Sequence, residues 1–164
     1  MSGILIAGIG NIFEGDDAFG VEVIRRLHDR ALPDGVRAVD FGIRGIDLAY
    51  ALLDGPDAVV LVDAAPLGAA PGTVSVVEVG AGPDAAPAVS PHALDPASVL
   101  ALVRAIGGAP PPIYLVACEP QELGGEDGVM GLSPPVAAAI EPAIGAVERL
   151  VNRLQCEPRR VQWA

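Results

Sequence analysis

The sequence predicts an α/β protein, a three-layer α/β/α sandwich around a twisted, mostly parallel sheet of about five strands. Hydrophobic residues make up 51% of the 164 residues but aromatics only 4%, so the core is built from Val, Leu, Ile and Ala, as in a sheet buried on both faces. Uniformly apolar runs of strand length alternate with segments of helical period, the pattern of a layered α/β fold. The 20 Gly and 16 Pro fall mainly between those runs, where they punctuate short loops. The length suits one domain, taken as residues 1–154 with a polar tail over 155–164.

Ile4-Leu5-Ile6-Ala7-Gly8-Ile9 is apolar throughout and ends in Gly10-Asn11, a central strand entering a tight loop. From Ala18 to Arg30, Val21, Ile24 and Leu27 recur at helical spacing. Val36 to Asp40 reads as the second strand, Ile46 to Leu53 as a helix, and Ala58 to Asp63 as a buried strand closing in an acid. Thr73 to Val79 alternates as an edge strand does. Gly80 to Pro91 has no period and reads as a surface loop. Asp95-Pro96 opens a helix to Ala105, Asp as cap and Pro at the first position. Pro112 to Cys118 is the last strand, and Pro134 to Leu154 the last helix, capped by Ser133 and kinked at Pro142.

Ten basic against 21 acidic residues give a net charge of −11, which repels a phosphate backbone and anionic membranes alike; no nucleic-acid or membrane partner is expected. No apolar stretch reaches the roughly 20 residues of a spanning helix, and the N-terminus lacks the pattern of a secretory signal. A cytoplasmic monomer is the expectation. Cys118 and Cys156 are read as free thiols, Cys118 as a small buried hydrophobe.

Chemistry concentrates at strand ends. Asp17 follows the Gly-Asn loop, Asp40 closes the second strand and Asp63 the third, and in such sheets the reactive groups lie beyond the carboxyl ends of the strands. His92 stands in a loop before a helix. Asp17, Asp63 and His92 together offer two carboxylates and one imidazole, a set that suits Zn, Ni, Fe or Mn without choosing among them. Singly, each has an ordinary reading, the aspartates as turn formers and His92 as a loop histidine. Asp16 reads as the cap of the helix starting near Ala18, and His28 as structural or solvent-facing. Gly8-Ile9-Gly10-Asn11 invites a nucleotide-binding reading, which Asp40 at the end of the second strand keeps open. Against it, Glu14, Asp16 and Asp17 stand where a diphosphate would lie.

Gly8-Ile9-Gly10-Asn11 with Asp16-Asp17 and Gly20-Val21, then Leu61-Val62-Asp63-Ala64, Pro71-Gly72-Thr73, Ser90-Pro91-His92 and Gly131-Leu132-Ser133-Pro134, resemble in order and interval the hydrogenase maturation endopeptidases. The likeness runs from Ile4 to Leu154. It implies a phosphorylase/hydrolase-like α/β fold. It also implies a protease that removes a C-terminal extension from the precursor of a [NiFe] hydrogenase large subunit once nickel is inserted. Asp17, Asp63 and His92 match the family's metal-contacting residues, which read nickel in the substrate; no permanent cofactor is expected, although another divalent metal can occupy such a set. Asp40 is the candidate for positioning or deprotonating water. Two departures stand out: the first-loop ligand, Glu in some relatives, is Asp17, and a loop often Gly-Gly-Thr-x-Gly reads Phe41-Gly42-Ile43-Arg44-Gly45. Arg44 is a candidate partner for a substrate carboxylate or for Asp40. The rivals are a nucleotide- or ligand-binding module, a non-catalytic metal-checking chaperone, and a metallopeptidase with resident zinc.

Overall fold

The apolar runs form five strands, β1 (Ile4–Ile9), β2 (Val36–Gly42), β3 (Ala58–Ala64), β4 (Val74–Val79) and β5 (Ile113–Cys118), in a computed structural model that describes residues 3–79, 96–124 and 127–157. Their order is β2-β1-β3-β5-β4. The first four are parallel, and β4 closes one edge antiparallel to β5. β4 is an edge strand as expected, but it is not buried on one face only, since the consecutive Val76 and Val77, which point to opposite faces, are both exposed.

Helices α1 (Phe19–Leu27), α2 (Gly45–Leu53), α3 (Pro96–Ala105), α4 (Pro134–Ala137) and α5 (Ile140–Cys156) cover the two faces. Ile4, Ile6, Val60, Val62 and Val116 pack with Phe19, Val23, Ile24 and Leu27 of α1 and Ile144 and Val147 of α5. Leu5, Ala7, Ile9, Val59 and Leu61 pack on the opposite face with Leu48 and Leu52 of α2 and Val103 of α3. Odd and even positions of each strand thus feed separate cores, which makes the fold a three-layer sandwich. Among the described residues no helix is long and apolar enough to cross a membrane.

Two further expectations need correction. Asp16, Asp17 and Ala18 form a 3-10 turn ahead of α1, and neither element has a side-chain cap, so Asp16 is not a helix cap. The last helix is broken rather than kinked, with Ala138 and Ala139 outside both α4 and α5. Pro142 cannot donate to the carbonyl four residues before it, at Ala138, so the helix restarts where a missing N–H costs nothing, in the first turn of α5. Ser133 has the extended backbone of an N-cap, but its hydroxyl makes no cap bond.

Candidate functional site

The turn after β1 is shaped by close approach. Gly20, in the first turn of α1, lies where a Cβ would come within 2.1 Å of the Val62 carbonyl oxygen and 2.4 Å of that of Ile9. A Cβ on Gly8 would meet Ile24 Cγ1 at 2.4 Å and the Gly20 carbonyl at 2.6 Å. The two glycines therefore let α1 press its backbone onto the ends of β1 and β3. Gly10, with φ of 139°, has the Asp17 carbonyl 1.8 Å from its would-be Cβ. These glycines are filled from within the chain and leave no cradle of the nucleotide-binding kind.

Asp17 is half-buried in the 3-10 turn, and its Oδ2 accepts the Asn11 N–H at 2.8 Å. Gly10 N–H donates to the Gly42 carbonyl at 2.9 Å, so one hydrogen-bonded cluster joins Asp17 to the ends of β1 and β2. Burial raises the Asp17 carboxyl above its ordinary range; the Asn11 N–H opposes that shift and the Glu14 charge adds to it.

Asp40 pairs in register with Gly8, which pairs on its other side with Val62, the residue before Asp63. Both acids thus lie at the carboxyl edge, flanking β1, about 10 Å apart at ordinary strand spacing. Alternation separates them: Val36 and Ala38 pack on the α1/α5 side and Leu61 on the α2/α3 side, so Asp40 belongs to the first face and Asp63 to the second. Asp40 Oδ1 is buried and has no hydrogen-bond partner among the described residues. Arg44 does not neutralise it. The guanidinium donates to the backbone carbonyls of Asp40 and Phe41 and pairs with Asp47 at 3.6 Å.

His92 lies outside the described residues, as does Asp95. Among the described residues no three His, Cys, Asp or Glu side chains gather closely enough to hold a metal. His28, at the end of α1, has Nε2 2.9 Å from the Ala38 carbonyl, a structural contact. Cys118 is buried and Cys156 exposed, both unbridged; burial, with the Asp16 and Glu119 charges, pushes the Cys118 thiol up to about 11.

Asp16, beside Asp17, is 1% exposed. Its Oδ2 accepts the N–H groups of Gln121 and Glu122 and the Ser133 hydroxyl, each at 2.8 Å, and its Oδ1 accepts the Ser133 N–H at 2.7 Å. Burial alone would raise its carboxyl, but these bonds outweigh it and hold Asp16 below the usual range. Glu119, just beyond β5, is 9% exposed and accepts the N–H groups of Leu67 and Gly68 at 2.7 and 3.3 Å, fixing the loop after Asp63. The sequence reading missed Glu119, although the acid-after-an-apolar-run rule that selects Asp40 and Asp63 selects it too. Nothing in the local sequence signals that the Asp16 partners lie more than a hundred residues away.

The model of the HycI hydrogenase maturation protease family matches residues 21–150. The chain is 38% identical over 154 residues to the hydrogenase expression/formation protein HoxM of Azotobacter vinelandii, covering 92% of this chain and 73% of HoxM. It is 35% identical over 151 residues to the hydrogenase 2 maturation protease of Escherichia coli K12, covering 88% and 87% of the two chains. The solved structure of the hydrogenase maturating endopeptidase HybD from E. coli superposes with a TM-score of 0.76 at 32% identity, covering 92% of this chain and 93% of that one.

Proposed function

The chain belongs to the hydrogenase maturation protease family, and from that premise we propose that it cleaves the C-terminal extension from a nickel-loaded [NiFe] hydrogenase large-subunit precursor. The observation that carries the reading is the family match across residues 21–150. The layout of acids at the carboxyl edge supports it.

In this reading the nickel arrives with the substrate, and Asp17, Asp63 and His92 grip it. Asp63 projects on the face covered by α3, and His92 precedes Pro96, the first residue of α3, by four residues. α3 leads into β5, which is parallel to β3, so it starts at the carboxyl edge. Asp17 is held by the Asn11 N–H. The grip orients the scissile bond. Asp40, on the opposite face from Asp63, is available as the base: a buried carboxylate oxygen with no hydrogen-bond partner among the described residues is suited to hold and deprotonate a water.

The test is incubation with a nickel-loaded and a nickel-free precursor, read by intact mass. Loss of the extension from the loaded form alone is expected. Alanine variants of Asp17, Asp63 and His92 should each abolish it while remaining folded, and undiminished cleavage by all three would sink the site. Binding without a change of mass would favour the chaperone rival, and stoichiometric zinc in the purified protein the resident-zinc one.

A further inference from the structure

Segments of two connections at the carboxyl edge, the turn from β1 to α1 and the chain from β5 to α4, are stitched into one unit. Gly15 N–H donates to the Val129 carbonyl and Val129 N–H to that of Phe13, both at 2.8 Å; Asp16 N–H donates to Glu122 at 3.0 Å and Gly124 N–H to Glu14 at 3.1 Å. Glu14 and Val129 form a parallel bridge, Gly15 and Leu123 an antiparallel one. The Asp16 carboxylate locks the same loops from below. Yet this rigid unit presents Phe13 at 60%, Leu123 at 51% and Met130 at 69% exposure. Beside Met130 the surface falls into a groove of about 350 Å³ lined by the apolar Ile12, Leu132 and Ala137 and by the charged Glu22, Arg25 and Arg26. The Val129 N–H on the Phe13 carbonyl sets Phe13 beside the segment that carries Met130, and large exposed apolar side chains gathered on adjacent backbone mark a contact surface.

Resting on the protease reading above, we infer that this unit is a preformed docking platform for an apolar face of the folded, metal-bearing substrate protein, with Phe13 and Met130 as its anchors. Continuity fixes the occupant: the strand of chain that carries Phe13 carries Asp17 four residues later, so whatever seats on Phe13 is brought to the acid that meets the metal. A second copy of this chain is disfavoured because each copy brings a net charge of −11. A platform stiffened in advance loses little entropy on binding, so its contacts act on affinity rather than on the chemical step.

The experiment compares wild type, the double variant Phe13→Ser with Met130→Ser, and a control, Ile46→Ser with Tyr50→Ser, which removes two exposed apolar residues of α2. Each is confirmed folded by circular dichroism. Binding of the nickel-loaded precursor and cleavage kinetics are both measured. The platform predicts a rise in Kd and KM of about thirtyfold or more for the double variant, the size expected for two anchors, with kcat within about twofold and the control unchanged. Unchanged Kd and KM in the double variant overturns the platform, as does an equal loss in the control. A wild-type dimer in sedimentation that the double variant dissolves overturns it in favour of self-association. Wild type that binds but does not cut, with binding lost in the double variant, overturns the protease reading alone and leaves the platform standing; wild type that neither binds nor cuts overturns both.

Discussion

Replacing Asp16 by alanine removes the acceptor of four hydrogen bonds and leaves the amides of Gln121, Glu122 and Ser133 and the Ser133 hydroxyl facing a carboxylate-sized gap. A hydrogen bond to a charged group contributes about 1.5–3 kcal/mol net, and an orphaned buried donor costs about 1–3 kcal/mol. These terms do not add, because the four donors share one group and the loops can relax toward water. A loss of about 3–5 kcal/mol is therefore expected, the range for breaking a buried charged network. Asparagine is the sharper perturbation. Three of the four bonds end on Oδ2 and only the Ser133 N–H on Oδ1, so an asparagine with its oxygen at the Oδ2 position keeps three acceptor contacts and sets an NH2 against one amide. Its cost should be about 2 kcal/mol, one lost charge-assisted bond. Urea denaturation should show both losses as midpoint shifts at constant slope, and the asparagine variant should melt about 4–8 °C lower. Since Asp16 is held below its unfolded value, its contribution is complete above the unfolded pKa of about 3.9 and is lost as pH falls through the folded one. The gap between wild type and Asp16→Asn should accordingly close below about pH 4. An alanine variant within about 0.5 kcal/mol of wild type, the scatter of ordinary surface substitutions, would refute the reasoning, as would asparagine proving as harmful as alanine.

Asp17→Asn should have the opposite sign for stability: the folded state raises the Asp17 carboxyl, so ionisation is penalised above the unfolded pKa and fully so above the folded one. The variant should resist urea better than wild type at pH 7, lose that advantage near pH 3, about a unit below the unfolded pKa, and fail to process precursor; equal midpoints at pH 7 would contradict the burial argument. Gly20→Ala places a methyl 2.1 Å from the Val62 carbonyl, where the neighbour is backbone, and should cost about 3 kcal/mol in denaturation, toward the upper end of overpacking effects. Under native conditions a thiol reagent should modify Cys156 and spare Cys118, whose thiol is buried and pushed up to about 11. Peptide mass mapping reads this directly, and rapid native labelling of Cys118 would be the adverse result.

Much of the architecture is legible because the signals are local. Ala58 to Val62 is apolar at every position, and only a strand covered on both faces can bury such a run. The strand-end rule reaches Asp40 and Asp63 for the same reason, since an acid can close a buried run only where the sheet gives way to loops. Other readings failed where the deciding partner is distant. Asp16 looks like a cap from its neighbours, but the 3-10 turn points its carboxylate at amides of residues 121, 122 and 133. Ser133 has cap backbone and a hydroxyl already claimed by Asp16.

The sequence by itself determined which segments are strands, that the sheet is mostly parallel, and that acids collect at its carboxyl edge, because periodicity and strand ends are properties of consecutive residues. Only the tertiary structure decided that Asp40 and Asp63 face opposite sides of the sheet, that Asp40 keeps a buried oxygen with no partner among the described residues, and that Asp16 staples the β1–α1 turn to the β5–α4 connection while Asp17 meets Asn11. Those outcomes depend on which donors chain crossing brings within about 3 Å of a carboxylate, a distance no local pattern encodes.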